Sequence, residues 1–502
     1  MRLDSLLLDS GYKCPEKLKN IEIRNITSSS NDVNEGYIFV CIAGLHADGH
    51  SYIDIARQRG AALIVADESR KSEIVCDAPI MFVNDTRVAA SRMLAAFYNN
   101  PQKSLKIIGI TGTNGKTTTA RMLYEILKKH SAKCGLIGTT GSFSPTGRLD
   151  IRCADECANM TTPDPSELYK ILSVMRNDGA EYVIMEVSSH SLVQKRVEPI
   201  EFELALFTNL TEDHLDFHKD MEDYFLAKSQ LFSRSKKAII NIDDMYGRRL
   251  CENIISPIKC SAEGREAQYI ATQIKYNGES GIDYKLSSRL SNLRVRVSIP
   301  GRFTVYNSLM ATAAALELGI SPATIRSALA SLSGTDGRLQ RVELGPKADF
   351  SVFIDYAHTP DALENLLRCS ISFKKKRNRI VLLFGCGGDR DRYKRKIMGK
   401  IASSLADFVI ITSDNPRGED REKIIFDILM GVDKESRFTV ISDRREAIKY
   451  AIMNAKAGDI ILLAGKGHEK YEICGGKKTY FNEIEIAQSA FVERLERQGK
   501  ER

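Results

Sequence analysis

The feature that most constrains the fold of this chain is a glycine-rich segment between an apolar run and a stretch of helical length. Residues 112–117 read GTNGKT; they follow the apolar run at residues 106–110 and precede the helical stretch at residues 118–129. Strand, glycine-rich turn, Lys-Thr and helix, in this order, are the sequence context of a P-loop. In such a loop, backbone N–H groups and the helix N-terminus face phosphate oxygens. The segment therefore predicts an α/β domain that binds a nucleotide.

The side chains of this loop have specific chemical uses. The ammonium group of Lys116 can reach the β- and γ-phosphates, and the hydroxyl group of Thr117 can ligate Mg²⁺. The strict P-loop pattern would place glycine at position 110, where this chain has Ile110. This departure argues against an ordinary P-loop GTPase or ATPase and favours a variant of the motif. A motor, a switch, a kinase or a ligase could use such a site, and the loop alone leaves these alternatives open.

The spacing of apolar runs along the 502 residues predicts three α/β domains. Residues 1–100 contain short strand-like runs around a helical stretch, which is typical of a small mixed α/β domain. Within residues 101–335, continuous apolar runs such as those at 182–185 and 204–207 indicate strands buried on both faces of a parallel sheet. Residues 336–502 alternate strand and helix regularly, which predicts a doubly wound, Rossmann-like domain.

Composition excludes several classes of protein. Hydrophobic residues make up 43% of the chain and charged residues 27%, which excludes a disordered or collagen-like polypeptide. No apolar run reaches the ~18 residues that span a bilayer. Asp4 and Asp9 interrupt the leucines at the N-terminus, so no signal peptide is expected. We therefore expect a soluble protein of the cytoplasm, without a membrane span.

Charge and cysteine content restrict the kinds of ligand and partner that the sequence predicts. The densest basic run, residues 374–377, lacks interleaved aromatic residues, so we interpret it as a solvated turn and expect no nucleic acid partner. A formal charge of +7 on a chain this long fits an anionic small substrate. The 11 cysteines include no Cys-x-x-Cys pair, which argues against a zinc site or a disulfide framework.

Two segments beyond the P-loop supply candidate metal ligands. Glu186 directly follows the apolar run at 182–185, and His214 follows the run at 204–207. Residues just past the carboxyl ends of parallel strands gather in one crevice, which also holds the P-loop. Glu186 and His214 are therefore candidate ligands of a metal ion near bound ATP, although either residue could be purely structural. Lys228, taken alone, would be an ordinary lysine on a helix surface.

Seven segments, in order along nearly the whole chain, resemble the Mur ligase family, which builds the peptide of bacterial cell-wall precursors by ATP-dependent amide formation. They are residues 112–117 (GTNGKT), 185–190 (MEVSSH), 213–216 (DHLD), 227–228 (AK), 306–307 (YN), 337–338 (GR) and 355–360 (DYAHTP). The chain is therefore identified as similar to this family, and the resemblance implies roles for individual residues.

The resemblance implies the catalytic, metal and ATP-binding groups. Lys228 matches a lysine that reacts with CO₂ to form a carbamate; this anion can bind Mg²⁺, which an ammonium group would repel. Glu186 and His214 match metal ligands, and with Lys116 and Lys228 they are the expected catalytic residues. The expected metal ligands are Thr117, Glu186, His214 and the Lys228 carbamate. The expected ATP contacts, which extend to the border of the central and C-terminal domains, are Gly112, Thr113, Asn114, Gly115, Lys116, Thr117, Thr118, Asn307, Arg338 and Asp355.

The closest match within the family is the member that adds the third amino acid, which implies UDP-MurNAc-L-Ala-D-Glu as the carrier substrate. The matching positions lie in the N-terminal domain and in loops of the central domain: Ser28, Ser30, Leu45, His46, Ala47, Thr161, Thr162, Ser188, Gln194 and Arg196. Each is weak alone, because Ser, Thr and Gln in loops usually satisfy backbone groups. Their combination, in order, supports the interpretation.

Residues 414–417 (DNPR) look like the family's signature for meso-diaminopimelate rather than L-lysine. Arg417 offers a bidentate fork for the second carboxylate of diaminopimelate. Lysine would leave this guanidinium group buried without a partner, which is costly and therefore discriminating. The expected contacts to the amino acid are Arg390, Asp414, Asn415, Pro416, Arg417, Gly465 and Glu469. Outside the family, Asp-Asn-Pro-Arg would read as a simple turn with an exposed arginine.

The resemblance thus implies a bacterial cytoplasmic ligase of peptidoglycan precursor synthesis that acts through an acyl phosphate. ATP, Mg²⁺ and a carbamate on Lys228 are the expected cofactors, and we expect a monomer. A lysine-adding homologue and a folate- or cyanophycin-type ligase remain as alternatives; Arg417 disfavours the first, and the segment at 27–47 disfavours the folate type. An alternative of another class is a nucleotide-dependent switch that forms no bond.

Overall fold

The computed structural model describes most of the chain. The described residues are 1–44, 47–130, 133–149, 160–215, 217–332, 334, 337–375 and 377–500, with the side chains of 499 and 500 excepted. Leu45 and His46, both expected at the carrier substrate, lie outside the described residues. Over these ranges the strands form four sheets. Within these ranges, no helix has the length and apolar character needed to cross a membrane.

The N-terminal region forms a parallel four-stranded sheet in the order β1-β2-β3-β4. Its elements are β1 (Asn25–Thr27), β2 (Tyr37–Val40), β3 (Leu63–Asp67), β4 (Ile80–Val83), α1 (Leu3–Asp9), α2 (Ile53–Gln58) and α3 (Thr86–Phe97). The helix α3 begins after Asp85, whose carboxylate accepts the N–H groups of Arg87 and Val88. The hydroxyl group of Ser91 on α3 donates to the carbonyl of Lys195 at 2.7 Å, so the N-terminal region packs on the central one.

The central region contains an eleven-stranded sheet in the order β15-β14-β13-β12-β11-β10-β5-β9-β6-β7-β8. Its strands are β5 (Lys106–Thr111), β6 (Cys134–Gly138), β7 (Gly141–Ser144), β8 (Gly147–Leu149), β9 (Tyr182–Glu186), β10 (Phe202–Phe207), β11 (Ser235–Asn241), β12 (Ile258–Ser261), β13 (Tyr269–Tyr276), β14 (Ile282–Ser288) and β15 (Asn292–Val297). Its helices are α4 (Lys116–Lys129), α5 (Pro165–Asn177), α6 (Ser189–Val193), α7 (Met221–Ser229), α8 (Met245–Glu252), α9 (Arg302–Glu317) and α10 (Pro322–Ala330).

The middle of this sheet is parallel, as predicted, and its edges are not. β6, β9, β5, β10, β11, β12 and β13 run parallel, whereas β14 and β15 at one edge and β7 and β8 at the other are antiparallel. Residues of β5 alternate between two apolar clusters, Ile107 in one and Ile108 and Ile110 in the other. Burial on both faces explains the continuous apolar run of this strand.

The C-terminal region forms a six-stranded sheet in the order β16-β17-β21-β18-β19-β20, parallel except for β16, and a small hairpin of β22 and β23. The strands are β16 (Gln340–Arg341), β17 (Ser351–Asp355), β18 (Ile380–Phe384), β19 (Phe408–Ile411), β20 (Phe438–Val440), β21 (Ile460–Ala464), β22 (Tyr471–Cys474) and β23 (Lys477–Tyr480). The helices are α11 (Pro360–Phe373), α12 (Tyr393–Leu405), α13 (Arg421–Leu429), α14 (Arg444–Met453) and α15 (Glu483–Lys500).

The sheets place the predicted site segments at strand ends. Short 3-10 helices at Glu16–Leu18, Ser30–Asp32, Gly49–Tyr52, Glu68–Arg70, Pro101–Ser104, Phe232–Arg234 and Gly278–Ser280 complete the connections. β10, β5 and β9 are neighbours, so their carboxyl ends bring residues 208–214, 112–117 and 186–190 to one edge. β18, β19 and β21 bring residues 387–390, 414–417 and 465–469 to one edge of the second sheet. The predicted α/β class with a parallel central sheet is confirmed.

Candidate active site

The P-loop closes tightly around the start of α4. Gly112 has φ +142° and Gly115 has φ +88°, a region that favours glycine. A Cβ atom at Gly112 would collide with the hydroxyl oxygen of Thr208, and one at Gly115 with the amide oxygen of Asn307. Asn307 is buried in α9, and its amide oxygen also accepts the Thr119 hydroxyl at 3.3 Å. The loop therefore leaves no room for side chains at these two positions.

Lys116 and Thr117 begin α4, which directs both side chains toward the carboxyl edge of the sheet. Lys116 Nζ donates to the carbonyls of Gly112 and Thr113, each at 2.9 Å. Burial lowers the pKa of Lys116, and Glu186 and Asp213 act in the opposite direction. An ammonium group that is held by two loop carbonyls can be redirected to phosphate oxygens when a nucleotide binds.

Glu186 ends β9 and lies beside Thr117. The Thr117 hydroxyl group donates to Glu186 Oε2 at 2.8 Å, and the N–H group of Thr139 donates to Oε1 at 2.9 Å. A Cβ atom at Gly138 would collide with Glu186, so a glycine in β6 makes room for the carboxylate. Glu186 is 1% exposed. A hydroxyl oxygen and a carboxylate oxygen that lie this close together are suitable ligands for one Mg²⁺ ion, which usually takes its other ligands from phosphates and water.

Lys228 lies on α7 but does not face solvent. It is 1% exposed, and its Nζ donates to the carbonyl of Gly112 at 2.9 Å, so Lys228 and Lys116 share one carbonyl oxygen. The ring of Tyr224 lies beneath the same Nζ, at 4.5 Å from its centroid. Burial lowers the pKa of Lys228 to well below its usual value, and repulsion from Lys116 adds to this. The structure thus places Lys228 at the P-loop, where sequence alone indicated a surface lysine.

His214 packs edge-to-face with Tyr224, the ring that Lys228 also contacts. Its ring centroid is 6.1 Å from that of Tyr224 and 5.0 Å from that of His190, and its backbone has φ +57°. Its Nε2 lies 3.4 Å from Asp213 Oδ2. Among the described residues, no three His, Cys, Asp or Glu side chains converge closely enough to hold a metal ion. The four expected metal ligands therefore surround the P-loop in two groups, Thr117 with Glu186, and Lys228 with His214 around Tyr224.

The C-terminal region contacts the P-loop directly. Asp361, at the start of α11, accepts the Asn114 amide at 2.5 Å and the Thr211 hydroxyl at 3.1 Å. Burial raises the pKa of Asp361. The sequence analysis missed this carboxylate, because the pattern of a helix N-terminus does not reveal a contact 247 residues away along the chain.

Two other expected ATP contacts lie at this border. Asp355 ends β17, and its Oδ2 accepts the N–H group of Leu339 at 2.7 Å; burial raises the pKa of Asp355. The Arg338 guanidinium lies over the ring of Tyr356, 4.9 Å from its centroid. Gly337 is close to Gly467, so segment 337–338 also touches the loop after β21. Thr118, in the first turn of α4, is buried.

A polar cluster after β9 contains four of the residues expected at the carrier substrate. Thr162 Oγ1 donates to the Glu186 carbonyl at 2.9 Å and accepts the Ser188 N–H group at 3.0 Å. Arg196 donates to the Thr162 carbonyl at 2.9 Å and to the Gln194 amide oxygen at 2.9 Å. Asp164 lies 3.0 Å from the same guanidinium group. These contacts join the cluster to the strand that carries Glu186.

The remaining expected carrier positions are dispersed. Thr161 Oγ1 lies 3.2 Å from Thr139 Oγ1, next to the Glu186 carboxylate. In the N-terminal region, Ser28 follows β1 and is exposed, and Ser30 begins a 3-10 helix. Ala47 is exposed, and its carbonyl accepts the N–H group of Gly44 at 2.8 Å. The structure places these three N-terminal residues in loops.

A second polar cluster lies at the carboxyl ends of β19 and β21. Asn415 Nδ2 donates to Glu469 Oε2 at 2.7 Å, and Lys466 Nζ donates to Asn415 Oδ1 at 3.0 Å. Asp414 is buried, 3.4 Å from Lys466 Nζ, and lies against Gly465, which has φ +115°. Burial raises the pKa of Glu469, and the neighbouring Asp414 adds to this. Sequence analysis missed Lys466, which is fully buried; its position beside two expected site residues was the available signal.

Arg417 projects from a strained turn next to this cluster. It has φ +52°, and its Nη1 donates to the carbonyl of Gly388 at 2.9 Å. A Cβ atom at Gly387 would lie 2.8 Å from Nη1. Its backbone pairs with β22, because its N–H group donates to the Ile473 carbonyl at 3.0 Å. Pro416 precedes it, and Arg390 is exposed in the adjacent loop. The structure therefore brings all seven expected amino-acid contacts to one edge of the C-terminal sheet.

Comparison with known proteins places this geometry in a family. Models of three domains match the chain: the Mur ligase family catalytic domain at residues 22–98, the Mur ligase middle domain at 110–315, and the Mur ligase glutamate ligase domain at 337–467. Together they cover both sheets that carry the site.

Relatives match over nearly the full length. UDP-N-acetylmuramoyl-L-alanyl-D-glutamate--2,6-diaminopimelate ligase 1 of Clostridium acetobutylicum (strain ATCC 824) is 43% identical over 99% of this chain and 100% of its own. The ligase of the same name from Clostridioides difficile (strain 630) is 42% identical over 93% of this chain and 95% of its own. A solved structure of a UDP-N-acetylmuramoyl-L-alanyl-D-glutamate--2,6-diaminopimelate ligase is 31% identical, with a TM-score of 0.68 over 99% of this chain and 100% of its own. The chain belongs to the Mur ligase family.

Proposed function

We propose that this protein is an ATP-dependent ligase that joins meso-diaminopimelate to the D-Glu side-chain carboxylate of UDP-MurNAc-L-Ala-D-Glu, a step of peptidoglycan precursor synthesis. The observation that carries the proposal is the meeting of Lys228 and Lys116 at the carbonyl of Gly112. A nucleotide switch needs a single lysine at its P-loop, whereas a ligase of this family also uses a second lysine, whose carbamate would hold Mg²⁺ near the reacting carboxylate. The names of the full-length relatives support the choice of substrates.

The reaction proceeds in two steps. First, an oxygen of the D-Glu side-chain carboxylate attacks the γ-phosphorus of ATP; the new O–P bond gives an acyl phosphate, and ADP leaves. Then the amine of diaminopimelate attacks the acyl carbon, and the C–O bond of the tetrahedral intermediate breaks to release phosphate and a proton. No side chain of the protein forms a bond to the substrate. Orientation and electrostatic stabilisation provide the rate acceleration.

Lys116 neutralises the charge that develops between the β- and γ-phosphates. The N–H groups of the loop at 112–117 and the N-terminus of α4 hold the phosphates. Thr117, Glu186, His214 and a carbamate on Lys228 would hold Mg²⁺, which supplies further charge neutralisation at the phosphates. The remaining ATP contacts that we propose are Gly112, Thr113, Asn114, Gly115, Thr118, Asn307, Arg338 and Asp355.

We also propose that Lys228 is carbamylated. Its buried amine has a pKa well below the usual value, so it is available in the neutral form that attacks CO₂, giving N–COO⁻ and a proton. The product is an anion beside the Lys116 ammonium group, in place of a neutral amine at the same carbonyl oxygen. Charge balance at the P-loop therefore supports the modification.

We assign the amino-acid site from the charges of its side chains and from their position at one edge of the C-terminal sheet. Arg417 suits the distal carboxylate of meso-diaminopimelate, and Glu469 suits its distal ammonium group. Arg390, Asp414, Asn415, Pro416 and Gly465 complete this proposed site. For the carrier substrate we propose contacts from Ser28, Ser30, Leu45, His46, Ala47, Thr161, Thr162, Ser188, Gln194 and Arg196. The division of the chain into residues 1–100, 101–335 and 336–502 assigns these tasks to the UDP-binding, ATP-binding and amino-acid-binding domains.

The setting of the reaction that we propose is the bacterial cytoplasm, where ATP is available, and the protein acts as a monomer on small-molecule substrates. Size-exclusion chromatography with light scattering should give a mass near 56.0 kDa for the purified chain. A mass twice as large would contradict the monomer without affecting the proposed reaction.

The substitution Lys228→Ala tests the proposed function. It should abolish amide formation while ATP binding, followed by calorimetry, is retained. The matched control is Lys219→Ala, which removes a lysine from the preceding loop; it should leave the rate of amide formation unchanged. ATP-dependent amide formation that persists in Lys228→Ala would contradict the role of Lys228. A wild-type protein that binds ATP and forms no amide would support the switch instead.

A further inference from the structure

A buried ion pair lies behind the amino-acid site. Arg444 is the first residue of α14 and is 1% exposed, and Glu483 is the first residue of α15 and is 2% exposed. Arg444 Nε donates to Glu483 Oε1 at 2.8 Å. Neither residue belongs to a motif described above, and neither reaches the P-loop cluster through any of the contacts already given.

The other donors of Arg444 hold two strand ends. Nη1 donates to the carbonyl of Ser413 at 3.3 Å, and Nη2 donates to the carbonyl of Ala464 at 2.8 Å. These carbonyls directly precede Asp414 and Gly465. Ser413 follows β19, and Ala464 is the last residue of β21. These two strands are not neighbours in the sheet, because β18 lies between them. Both strands pair with β18 as far as Phe384, so the backbone ladders position the strand ends. No ladder joins the two loops beyond them, where the guanidinium group links the loops directly.

The two loops are also joined from the side of the site. Lys466 Nζ lies 3.0 Å from Asn415 Oδ1 and 3.4 Å from Asp414 Oδ1. Asn415 in turn donates to Glu469. The residues that follow the two held carbonyls thus contact each other, and Arg444 fixes the segments from which they project.

Stability alone does not account for this ion pair. Replacing a buried ion pair by packed apolar residues is often neutral or stabilising, because removing two charges from water is costly. The carboxylate of Glu483 is also incompletely satisfied: within the described part of the chain, its Oε2 is buried and has no hydrogen-bond partner. The pair fixes an orientation instead. A planar guanidinium group that a carboxylate holds in place directs its remaining N–H donors at fixed positions, here the two carbonyls.

We propose that Arg444 and Glu483 are positioning residues for the amino-acid site, which rests on the function proposed above. Arg417 lies on one of the two linked loops and Glu469 on the other. A diamino acid whose distal end carries both a carboxylate and an ammonium group must contact both loops at once. The distance between the loops therefore sets the affinity for the amino acid, and Arg444 with Glu483 holds that distance beyond the last paired residues of the strands.

The test uses full-length protein and a matched control pair in the same sheet. The variants are Glu483→Gln, which removes the charge of the carboxylate, and Arg444→Lys, which keeps the positive charge but loses the fork. The control is Asp459→Asn. Asp459 is 2% exposed and pairs with Arg379, at 3.0 Å, at the amino ends of β18 and β21. The control pair joins the same sheet at the end opposite the site.

In Glu483→Gln and Arg444→Lys we expect KM for meso-diaminopimelate to rise at least about tenfold, because a misplacement near 1 Å is costly at a binding site. KM for ATP and for UDP-MurNAc-L-Ala-D-Glu should stay within about twofold, since the ion pair is remote from the P-loop. Asp459→Asn should lower Tm without changing any of the three KM values. An equal rise in all three KM values, or the same rise in Asp459→Asn, would overturn the inference.

A double variant separates positioning from stability. Arg444→Met with Glu483→Leu replaces the pair by apolar side chains of similar size, so it leaves no unpaired buried charge. The loss of Tm should therefore be no larger than in Arg444→Lys, although the carbonyls of Ser413 and Ala464 lose a donor, and KM for diaminopimelate should still be raised. A double variant with the wild-type KM would overturn the inference. Failure of the proposed function is recognised separately, because wild-type protein would then form no amide with meso-diaminopimelate at all.

Discussion

At the scale of single residues, the protonation states of Lys116 and Lys228 depend on each other, because both side chains contact the carbonyl of Gly112. Lys116 and Lys228 each donate to the Gly112 oxygen at 2.9 Å; Lys228 is buried and Lys116 is half-buried. Two ammonium groups this close repel each other strongly where water is excluded. Burial lowers the pKa of both lysines, and that of Lys228 falls further, to well below its usual value, because Lys116 repels its charge as well. Asp213 acts in the opposite direction on both lysines, and Glu186 does so on Lys116. Lys228 is therefore the lysine that gives up its proton.

The neutral amine of Lys228 should take up CO₂. We expect protein incubated with ¹³C-bicarbonate to show one carbamate carbon signal by NMR, and Lys228→Arg to lack it, because an arginine side chain stays protonated. Activity in CO₂-depleted buffer should fall and recover on addition of bicarbonate. A carbamate signal of equal intensity in Lys228→Arg would assign the modification to another lysine.

Arg417 should determine the affinity for the distal carboxylate. A hydrogen bond to a charged group contributes about 1.5–3 kcal/mol, so Arg417→Ala should raise KM for meso-diaminopimelate by roughly 10- to 150-fold. Arg421 is the matched control, since it lies four residues further along, at the start of α13, and its guanidinium contacts Cys474 Sγ at 3.8 Å. Arg421→Ala should leave this KM within about twofold. Equal KM values in the two variants would contradict the assignment of Arg417.

At the scale of elements, the P-loop depends on the absence of side chains at its glycines. Gly115 has φ +88°, and Gly319, after α9, has φ +81°, so alanine strains the backbone equally at both. A Cβ atom meets Asn307 at position 115 and nothing within 4 Å at position 319. The backbone strain should cost about 1–2 kcal/mol of stability at either position, and the collision with Asn307 adds to this cost at position 115. Gly115→Ala should in addition weaken ATP binding at least about tenfold, because the collision with Asn307 displaces the loop that holds the phosphates. Calorimetry measures both affinities. Equal ATP affinities in the two variants would contradict this prediction.

Sequence patterns predicted elements well where a strand is buried on both faces. The runs at β5, β9 and β10 are continuous because their residues alternate between two apolar clusters, and the position of Glu186 follows from the carboxyl end of β9. β14 and β15 bury every second residue only, and a search for continuous runs overlooks them. They form the antiparallel edge that the sequence analysis did not predict.

Long-range contacts explain what the sequence could not give at the site. Asp361 meets Asn114, and Arg444 meets Glu483, across large separations along the chain. Neither contact has a local spacing signal, since each depends on how different strands place the two segments that carry the residues. The burial of Lys228 is of the same kind: α7 alone does not show that Tyr224 and the P-loop cover this lysine.

At the scale of the whole molecule, the border between the central and C-terminal regions contains a half-buried histidine, His358. Nδ1 of His358 lies 2.7 Å from the Tyr356 carbonyl oxygen. Burial, with repulsion from Lys394, lowers the pKa of His358 to about 4 from the usual 6.5. In the unfolded chain the histidine binds a proton near pH 6.5, whereas in the folded protein it does not. Protonation therefore favours the unfolded chain between these two pH values.

Stability should accordingly fall as pH decreases from about 6.5 toward 4. We expect the Tm difference between pH 7.5 and pH 5.0 to be smaller by a few degrees in His358→Gln than in the wild type, because glutamine does not titrate. Calorimetric scans at the two pH values measure it. His50→Gln is the control histidine variant in the N-terminal region. A pH dependence in His358→Gln equal to that of the wild type would contradict the burial of a neutral His358.

The measurement that tests the account most directly is phosphate release from ATP in the presence of UDP-MurNAc-L-Ala-D-Glu. Three samples are compared: with meso-diaminopimelate, with L-lysine and without an amino acid. The account predicts release, with formation of an equal amount of amide, in the first sample alone, since Arg417 and Glu469 require both distal charges. Release with L-lysine at a comparable rate would contradict the role of Arg417, and no release in any sample would contradict the ligase.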